Sequence, residues 1–197
     1  VGSNPYGIEG YKTLAYEIAE AMNWSVPDWC VLPVCYGDAL VGMWRGFADM
    51  RSLGWTDRMP RLVAAEVAGS ISHAFATGED ALPDRPLAHP TVAISIGATR
   101  GTYQALDIVR RSQGAAVVIE NEPMLRWQQK LAAGDGLFVE ASSAGALAAV
   151  ETLRGNGTIK DRDSVVVLLT ASGLKDPATA EAALPPKIEV SADMSEA

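Results

Sequence analysis

The chain has 197 residues, of which 48% are hydrophobic, and its formal net charge at pH 7 is −8. This length and apolar content predict about one domain with a sizeable core. The acidic balance argues against nucleic acid or an anionic membrane as a partner, because both require basic patches. Two cysteines and two histidines also make a metal site unfavourable.

The cysteine usage and the hydropathy pattern bear on the compartment. No apolar run approaches membrane-spanning length, and the N-terminus lacks a signal-peptide pattern. Cys30 and Cys35 bracket a single predicted strand, which is the wrong spacing for a local disulfide. We therefore expect a reduced, cytoplasmic protein that neither enters nor spans a membrane.

The first half of the chain alternates between helical and strand patterns. Apolar residues at helical spacing predict helices, short apolar runs predict buried strands, and Gly54 marks a helix end. A segment with three prolines predicts a surface loop. In order, the predicted elements are a helix over 7–22, a strand over 29–34, a helix over 40–53, a strand over 61–67, a helix over 70–76 and the loop over 77–91.

The second half continues the same alternation. Asn121 is predicted to cap a helix, because Glu122 and Pro123 follow it in the first turn. Strands that alternate with helices are typical of a parallel sheet, so we predict an α/β fold with three layers and helices on both faces of the sheet. The remaining predicted elements are a helix over 102–111, a strand over 115–119, a helix from 121, a helix over 144–153 and a strand over 165–169.

The segment from Ser164 to Asp176 carries the most informative pattern. Its β-branched apolar run lacks alternation, which is typical of a parallel strand covered on both faces. The run ends at Thr170, and small residues with Gly173 follow. Since open α/β sheets bind ligands at the carboxyl ends of their strands, the Thr170 hydroxyl is a candidate ligand for a heterocycle.

The turn between the strand over 29–34 and the helix over 40–53 is a second candidate site. A helix N-terminus presents free N–H groups to an anion, and Gly37 permits a tight backbone there. Against this, a carboxylate such as Asp38 at ~4–6 Å from a phosphate dianion costs on the order of several kcal/mol. Two interpretations remain open: a phosphate-binding loop, or an ordinary turn in which Asp38 caps the helix.

Four segments of the chain also form a recognisable series. They are Asn4-Pro5-Tyr6 with Glu9-Gly10 and Lys12-Thr13, Pro33-Val34-Cys35-Tyr36-Gly37-Asp38-Ala39 with Trp44 and Gly46, Gly136-Leu137-Phe138-Val139-Glu140-Ala141-Ser142-Ser143-Ala144, and Leu169-Thr170-Ala171-Ser172-Gly173-Leu174-Lys175-Asp176 with its continuation to Glu181. In the same order, these segments resemble blocks of the threonine synthases, which are pyridoxal-phosphate (PLP) enzymes of fold type II, the tryptophan synthase β superfamily.

The resemblance implies a domain boundary and a cofactor site. Residues 1–184 would form the C-terminal portion of such an enzyme, followed by an extended or frayed tail over 185–197. Thr170 would bond the pyridine nitrogen of PLP. Here Ala171-Ser172 replaces the Gly-His of the family, and the loop keeps a single, displaced glycine. The residues that would hold the PLP phosphate are Cys35, Tyr36, Gly37, Asp38, Ala39 and Leu40.

The resemblance further implies that the Schiff-base lysine lies upstream of the Asn-Pro-Tyr block. Lys160 lacks the preceding Ser-Phe of the family and falls in a charged turn, and Lys175 belongs to the Gly-Leu-Lys-Asp block. We therefore expect no catalytic residue in this chain. A second polypeptide, or a missing N-terminal part, would carry the lysine, and the assembly would be a dimer or a higher hetero-oligomer.

By the same resemblance, the expected reaction is a β- or γ-elimination or replacement on an amino-acid substrate. Gly7 and Tyr11 occupy positions where the family commonly has Arg and Gln, which predicts that phosphohomoserine is not the substrate. The alternative is a non-catalytic subunit that keeps the fold as an interaction or stabilising module. The altered phosphate loop favours this alternative, whereas Thr170 and the Gly-Leu-Lys-Asp block favour the enzyme.

Overall fold

The computed structural model describes residues 5–184, whose backbone alternates between helices and strands. Within this range, no helix combines the length and the hydropathy needed to cross a bilayer. The helices are α1 (Pro5–Gly10), α2 (Lys12–Ala21), α3 (Asp38–Ser52), α4 (Ser70–Thr77), α5 (Tyr103–Arg111), α6 (Asn121–Asp135), α7 (Ala141–Gly155) and α8 (Pro177–Ala182); the strands are β1 (Trp29–Pro33), β2 (Arg61–Glu66), β3 (Ala115–Val118) and β4 (Val165–Val167).

The four strands form one sheet in the order β3-β2-β1-β4, and every pair is parallel. Trp29 at the start of β1 is in register with Arg61 of β2 and with Val165 of β4. The chain thus adds β2 and β3 on one side of β1 and then returns to place β4 on the other side. This topology confirms the predicted parallel sheet.

Alternate residues of the central strands enter two separate cores. Cys30 and Leu32 of β1 pack with α2, α3, α4 and α5 on one face of the sheet. Val31 of β1 and Val63 of β2 pack with α6 and α7 on the other face. A strand buried on both faces needs apolar residues at every position, which explains the uninterrupted apolar runs in the sequence. The predicted three layers are confirmed.

The predicted helix over 7–22 is instead two helices that meet at Tyr11. The break lies where α3 comes close to α1. A Cβ placed on Gly42 of α3 would lie 2.5 Å from the carbonyl oxygen of Ile8 and would collide with Tyr11. The absence of a side chain at Gly42 therefore lets the chain turn directly against α3. The spacing of apolar residues cannot predict this break, because the break depends on a tertiary contact.

The prediction that Asn121 caps a helix is wrong, because Glu120 occupies the N-cap and Asn121 is the first helical residue. The Asn121 side chain accepts a hydrogen bond from Val92 N at 3.0 Å and donates one to Pro90 O at 2.9 Å. It thereby fixes the loop that precedes α5. Similarly, α7 begins at Ala141, three residues before the predicted start.

The last strand is shorter and less buried than its sequence predicts. β4 covers three half-buried residues and pairs only with β1, whereas the apolar run predicts a longer strand covered on both faces. A backbone bond from Leu168 N to Val31 O (2.9 Å) extends the contact by one residue. Within residues 5–184, the outer edge of β4 has no neighbouring strand.

Asp28 ties the beginnings of β1 and β4 together. Its Oδ2 accepts hydrogen bonds from the backbone N–H and the hydroxyl of Ser164, both at 2.8 Å. Its Oδ1 pairs with Arg58 at 2.6 Å. The bond from the Ser164 amide and the Arg58 guanidinium lower the pKa of Asp28 to about 2. The carboxylate therefore stays charged at neutral pH and holds the short edge strand in register.

Candidate functional site

The carboxyl ends of β1 and β4 meet at a topological switch point. The connection after β1 enters α3 on one face of the sheet, whereas the chain after β4 leads to α8, which packs against α6 on the other face. Connections that leave neighbouring parallel strands toward opposite faces open a crevice between them. In open α/β sheets this crevice is the usual place for a ligand.

An open cleft of about 690 Å³ occupies this position. All seven residues predicted to bind the cofactor line it, although they come from two regions separated by 129 positions in sequence. Tyr11, Ser95, Glu140 and Lys175 line it as well. The lining residues predicted from the sequence are Cys35, Tyr36, Gly37, Asp38, Ala39, Leu40 and Thr170.

One wall of the cleft is the N-terminus of α3. Gly37 is the N-cap, with φ of 98°, and no side chain caps the helix. The interpretation of Asp38 as the N-cap is therefore wrong, since Asp38 is the first helical residue. Among the described residues, the N–H groups of Asp38, Ala39 and Leu40 have no acceptor, and Leu40 is fully buried. Unpaired N–H groups at the positive end of a helix form an anion-binding site.

On the opposite wall of the cleft, the Thr170 hydroxyl forms a hydrogen bond with Ser143. The Oγ atom of Ser143 lies 3.0 Å from Oγ1 of Thr170 and accepts a hydrogen bond from Ala171 N at 3.0 Å. Ser143 is fully buried in the first turn of α7. It was missed as a site residue, although its block, residues 136–144, was recognised in the sequence. The pair fixes one hydroxyl that faces the cleft.

Three charged side chains line the cleft among the described residues: Asp38, Glu140 and Lys175. The Lys175 ammonium lies 3.4 Å from Oε2 of the buried Glu140. This pair is neutral as a unit, so Asp38 supplies an uncompensated negative charge near the α3 N-terminus. The described part of the cleft therefore offers N–H and hydroxyl donors rather than unpaired cations.

Together, the fold and the site define an α/β domain with an open cleft at a sheet switch point, where unpaired N–H groups suit an anion. The profile of the family described as "Pyridoxal-phosphate dependent enzyme" matches residues 1–171. The chain belongs to this family, whose cofactor is PLP.

Relatives extend the match over the whole chain. The threonine synthase of Methanocaldococcus jannaschii is 33% identical over 195 residues, which are 98% of this chain and 48% of that protein. The threonine synthase of Methanosarcina acetivorans is 35% identical over 179 residues, covering 89% of this chain and 44% of that protein. The chain thus spans about half the length of these relatives.

Solved structures share the fold at lower identity. An L-serine ammonia-lyase from Rhizomucor miehei superposes with a TM-score of 0.68 at 20% identity, covering 84% of this chain and 51% of that one. A maize serine racemase superposes with a TM-score of 0.66 at 19% identity, covering 84% and 49%. These proteins confirm the predicted fold type II architecture.

The residues present fit PLP in two respects. The unpaired N–H groups of the α3 N-terminus suit its phosphate, and the Thr170 hydroxyl suits an uncharged bond to its ring nitrogen. A PLP enzyme also needs a lysine for the Schiff base with the cofactor. Lys175 is the lysine that lines the described cleft, and it forms an ion pair with Glu140. Lys160 lies in an exposed turn before β4, as the charged sequence of this segment predicts. It is therefore near the amino ends of the strands, whereas the cleft is at their carboxyl ends.

Proposed function

We propose that this chain forms the cofactor-binding part of a PLP-dependent lyase or synthase that acts on an amino acid by β- or γ-elimination or replacement. The main support is the convergence of the α3 N–H groups and the Thr170 hydroxyl on one switch-point cleft, in a member of the PLP family. The names of the two relatives described above, both threonine synthases, favour a threonine synthase-like reaction.

Each residue group has a distinct role in this proposal. When bound, PLP supplies an electron sink for the negative charge that develops on the amino-acid substrate. The N–H groups of Asp38, Ala39 and Leu40 bind its phosphate, with the loop from Cys35 to Gly37 as the surrounding backbone. Thr170 bonds the ring nitrogen and, being uncharged, leaves that nitrogen unprotonated. Ser143 orients Thr170.

We further propose that the Schiff-base lysine comes from outside residues 5–184, either from a second polypeptide or from a further part of the protein. The engagement of Lys175 by Glu140 supports this assignment. The unpaired outer edge of β4 supports it too, because an exposed strand edge is a template for pairing with another segment. Two large apolar side chains that follow β4 in the sequence, Leu169 and Leu174, are 38% and 77% exposed.

Replacing Thr170 by valine is expected to weaken PLP binding by about tenfold, because the ring nitrogen loses its partner at a cost of ~1–3 kcal/mol. The control is Thr170→Ser, which keeps the hydroxyl and should retain most of the affinity. PLP retention by the complete native assembly, measured through its absorption spectrum during dialysis, checks both variants. Equal retention by the wild type and by Thr170→Val would contradict the role of Thr170.

The same sample locates the lysine. Reductive trapping of the bound cofactor, followed by peptide mass spectrometry, should find the modified lysine outside residues 5–184. A modified Lys175 or Lys160 would overturn the proposal of an external lysine. A complete assembly that binds no PLP would favour the non-catalytic subunit, in which the fold serves as an interaction or stabilising module.

We propose that the substrate of this site is not phosphohomoserine. A phosphorylated substrate would bring a second dianion into a cleft whose described charges are Asp38 and the paired Glu140 and Lys175. Two like-charged groups at ~5 Å repel by several kcal/mol at an effective dielectric of ~20. Tyr11 also lines this cleft and adds no cation that would offset a second phosphate. A smaller or uncharged leaving group fits better.

Steady-state assays of the complete assembly test this proposal. Release of inorganic phosphate from phosphohomoserine is expected to be at least ~100-fold less efficient in kcat/KM than turnover of an amino acid with an uncharged leaving group, given the repulsion above. Serine and threonine serve as the comparison substrates. Efficient phosphate release coupled to threonine formation would refute the proposal.

A further inference from the structure

A second cleft, of about 800 Å³, lies at the amino ends of the strands, opposite the cleft at their carboxyl ends. Although the chain is acidic overall, this cleft is rich in guanidinium groups and is lined by no lysine. We call it the arginine cleft. Its five arginines are Arg51, Arg58, Arg61, Arg111 and Arg162.

The two carboxylates of the arginine cleft offset only part of the positive charge of its five arginines. Asp28 pairs with Arg58 at 2.6 Å and also accepts the bonds from Ser164. Asp163 accepts hydrogen bonds from Trp29 Nε1 at 3.0 Å and from the backbone of Lys160 at 2.9 Å. Both acidic groups therefore already have partners within the protein.

Three of the five guanidinium groups lack a carboxylate partner among the described residues. Arg51 and Arg162 have no ion pair there, and Arg61 stacks over the Trp29 ring at 5.0 Å. The other two arginines have carboxylate partners: Arg58 pairs with Asp28, and Arg111 pairs with Asp107 at 3.3 Å. Arg61 forms no ion pair but is close enough to Asp163 for a weaker electrostatic attraction. The cleft thus gathers cations that the described residues compensate only in part.

Helix ends explain only part of this arrangement. Arg51 and Arg111 lie in the last turns of α3 and α5, where the helix dipole favours a cation. Arg61 and Arg162 lie at or just before the starts of β2 and β4, where no helix dipole acts on them. Convergence of these groups leaves a local excess of positive charge in the cleft, which a bound anion would offset.

We propose that the arginine cleft binds a small polyanion that carries phosphate groups. Guanidinium forks match phosphate oxygens in bidentate geometry, which explains the use of arginine rather than lysine. The volume falls within the range of small-molecule sites. A long polyanion such as nucleic acid fits less well, because the protein around the cleft has a net negative charge.

Titration calorimetry of the complete protein with inorganic tripolyphosphate tests the proposal. We expect saturable binding that weakens as salt is raised. Arg51→Gln and Arg162→Gln should each weaken binding by about tenfold, the effect of losing one charge-assisted hydrogen bond. Neither side chain has an ion pair within the described residues, so the fold should be retained, and the PLP content of each variant should be unchanged.

Arg100→Gln is the matched control, because Arg100 is an exposed arginine that does not line the arginine cleft. It should leave tripolyphosphate binding unaltered. The proposal is overturned by absence of saturable binding, by an equal loss in Arg100→Gln, or by tighter binding of a single-stranded oligonucleotide or a polyglutamate peptide than of tripolyphosphate.

Discussion

Replacing Gly37 by alanine is expected to weaken PLP binding by about a hundredfold. Gly37 has φ of 98°, a conformation that costs an alanine about 1–2 kcal/mol, and the new Cβ would collide with Cβ of Ala105 in α5. The turn must therefore move, which misaligns the N–H groups of the α3 N-terminus. Loss of two charge-assisted bonds to the phosphate would cost roughly 3 kcal/mol. Equilibrium dialysis of PLP against the complete assembly measures the effect.

Gly54→Ala supplies the matched control at the other end of the same helix. Gly54 also has a positive φ, of 74°, but a Cβ there would meet no atom within 4 Å. This variant should lose about 1 kcal/mol of stability and keep its affinity for PLP. If Gly37→Ala and Gly54→Ala bind PLP equally well, the α3 N-terminus is not the phosphate site.

Replacing Gly42 by valine is expected to lower the free energy of unfolding by about 3 kcal/mol or more. The valine side chain would occupy the position of the Ile8 carbonyl and of Tyr11, where α1 and α2 meet against α3. Because the obstacle is backbone, relief requires the two helices to move away, which is the upper range of overpacking costs. Urea denaturation monitored by circular dichroism measures the change.

Gly134→Val is the control for this variant. Gly134 lies inside α6, and a Cβ there would meet no atom within 4 Å. The substitution should change the free energy of unfolding by less than about 1 kcal/mol, since it alters only helix propensity. Similar destabilisation by the two substitutions would show that the contact of α3 with α1 is unimportant for stability.

The parallel sheet could be predicted from the sequence because burial on both faces leaves a local pattern. β1, β2 and β3 begin at the predicted residues and end within one residue of them. β4 begins at the predicted residue but ends two residues early, because only three residues of its apolar run find a partner strand within residues 5–184. An apolar run records what a strand can bury, whereas its length in the structure depends on its neighbours.

Only those residues of the candidate site that lie in segments resembling the family could be predicted from the sequence. The turn from Cys35 to Leu40 and Thr170 were both singled out, and both line one cleft. The contact between Ser143 and Thr170 was not, because it depends on where α7 begins relative to the end of β4. The binding roles of these residues remain predictions.

The misassigned caps and the arginine cleft share one physical cause. Asn121 has good capping chemistry, but tertiary packing directs its side chain to the Val92 loop. The arginines of the cleft are spread from Arg51 to Arg162 and carry no local motif. Long-range contacts decide both outcomes, and these contacts are invisible to an analysis of neighbouring residues.

The position of β4 at the sheet edge has a thermodynamic consequence for the cofactor. Local opening of β4 breaks its pairing with one strand, β1, and the hydrogen bonds between Asp28 and Ser164. Opening of β1 would break pairing with two strands, so opening of β4 costs less free energy. Thr170 lies three residues after this strand, so we expect opening of the strand to loosen the position of Thr170. A segment that pairs with the outer edge of β4 would therefore raise the affinity for PLP by linkage, without contacting the cofactor.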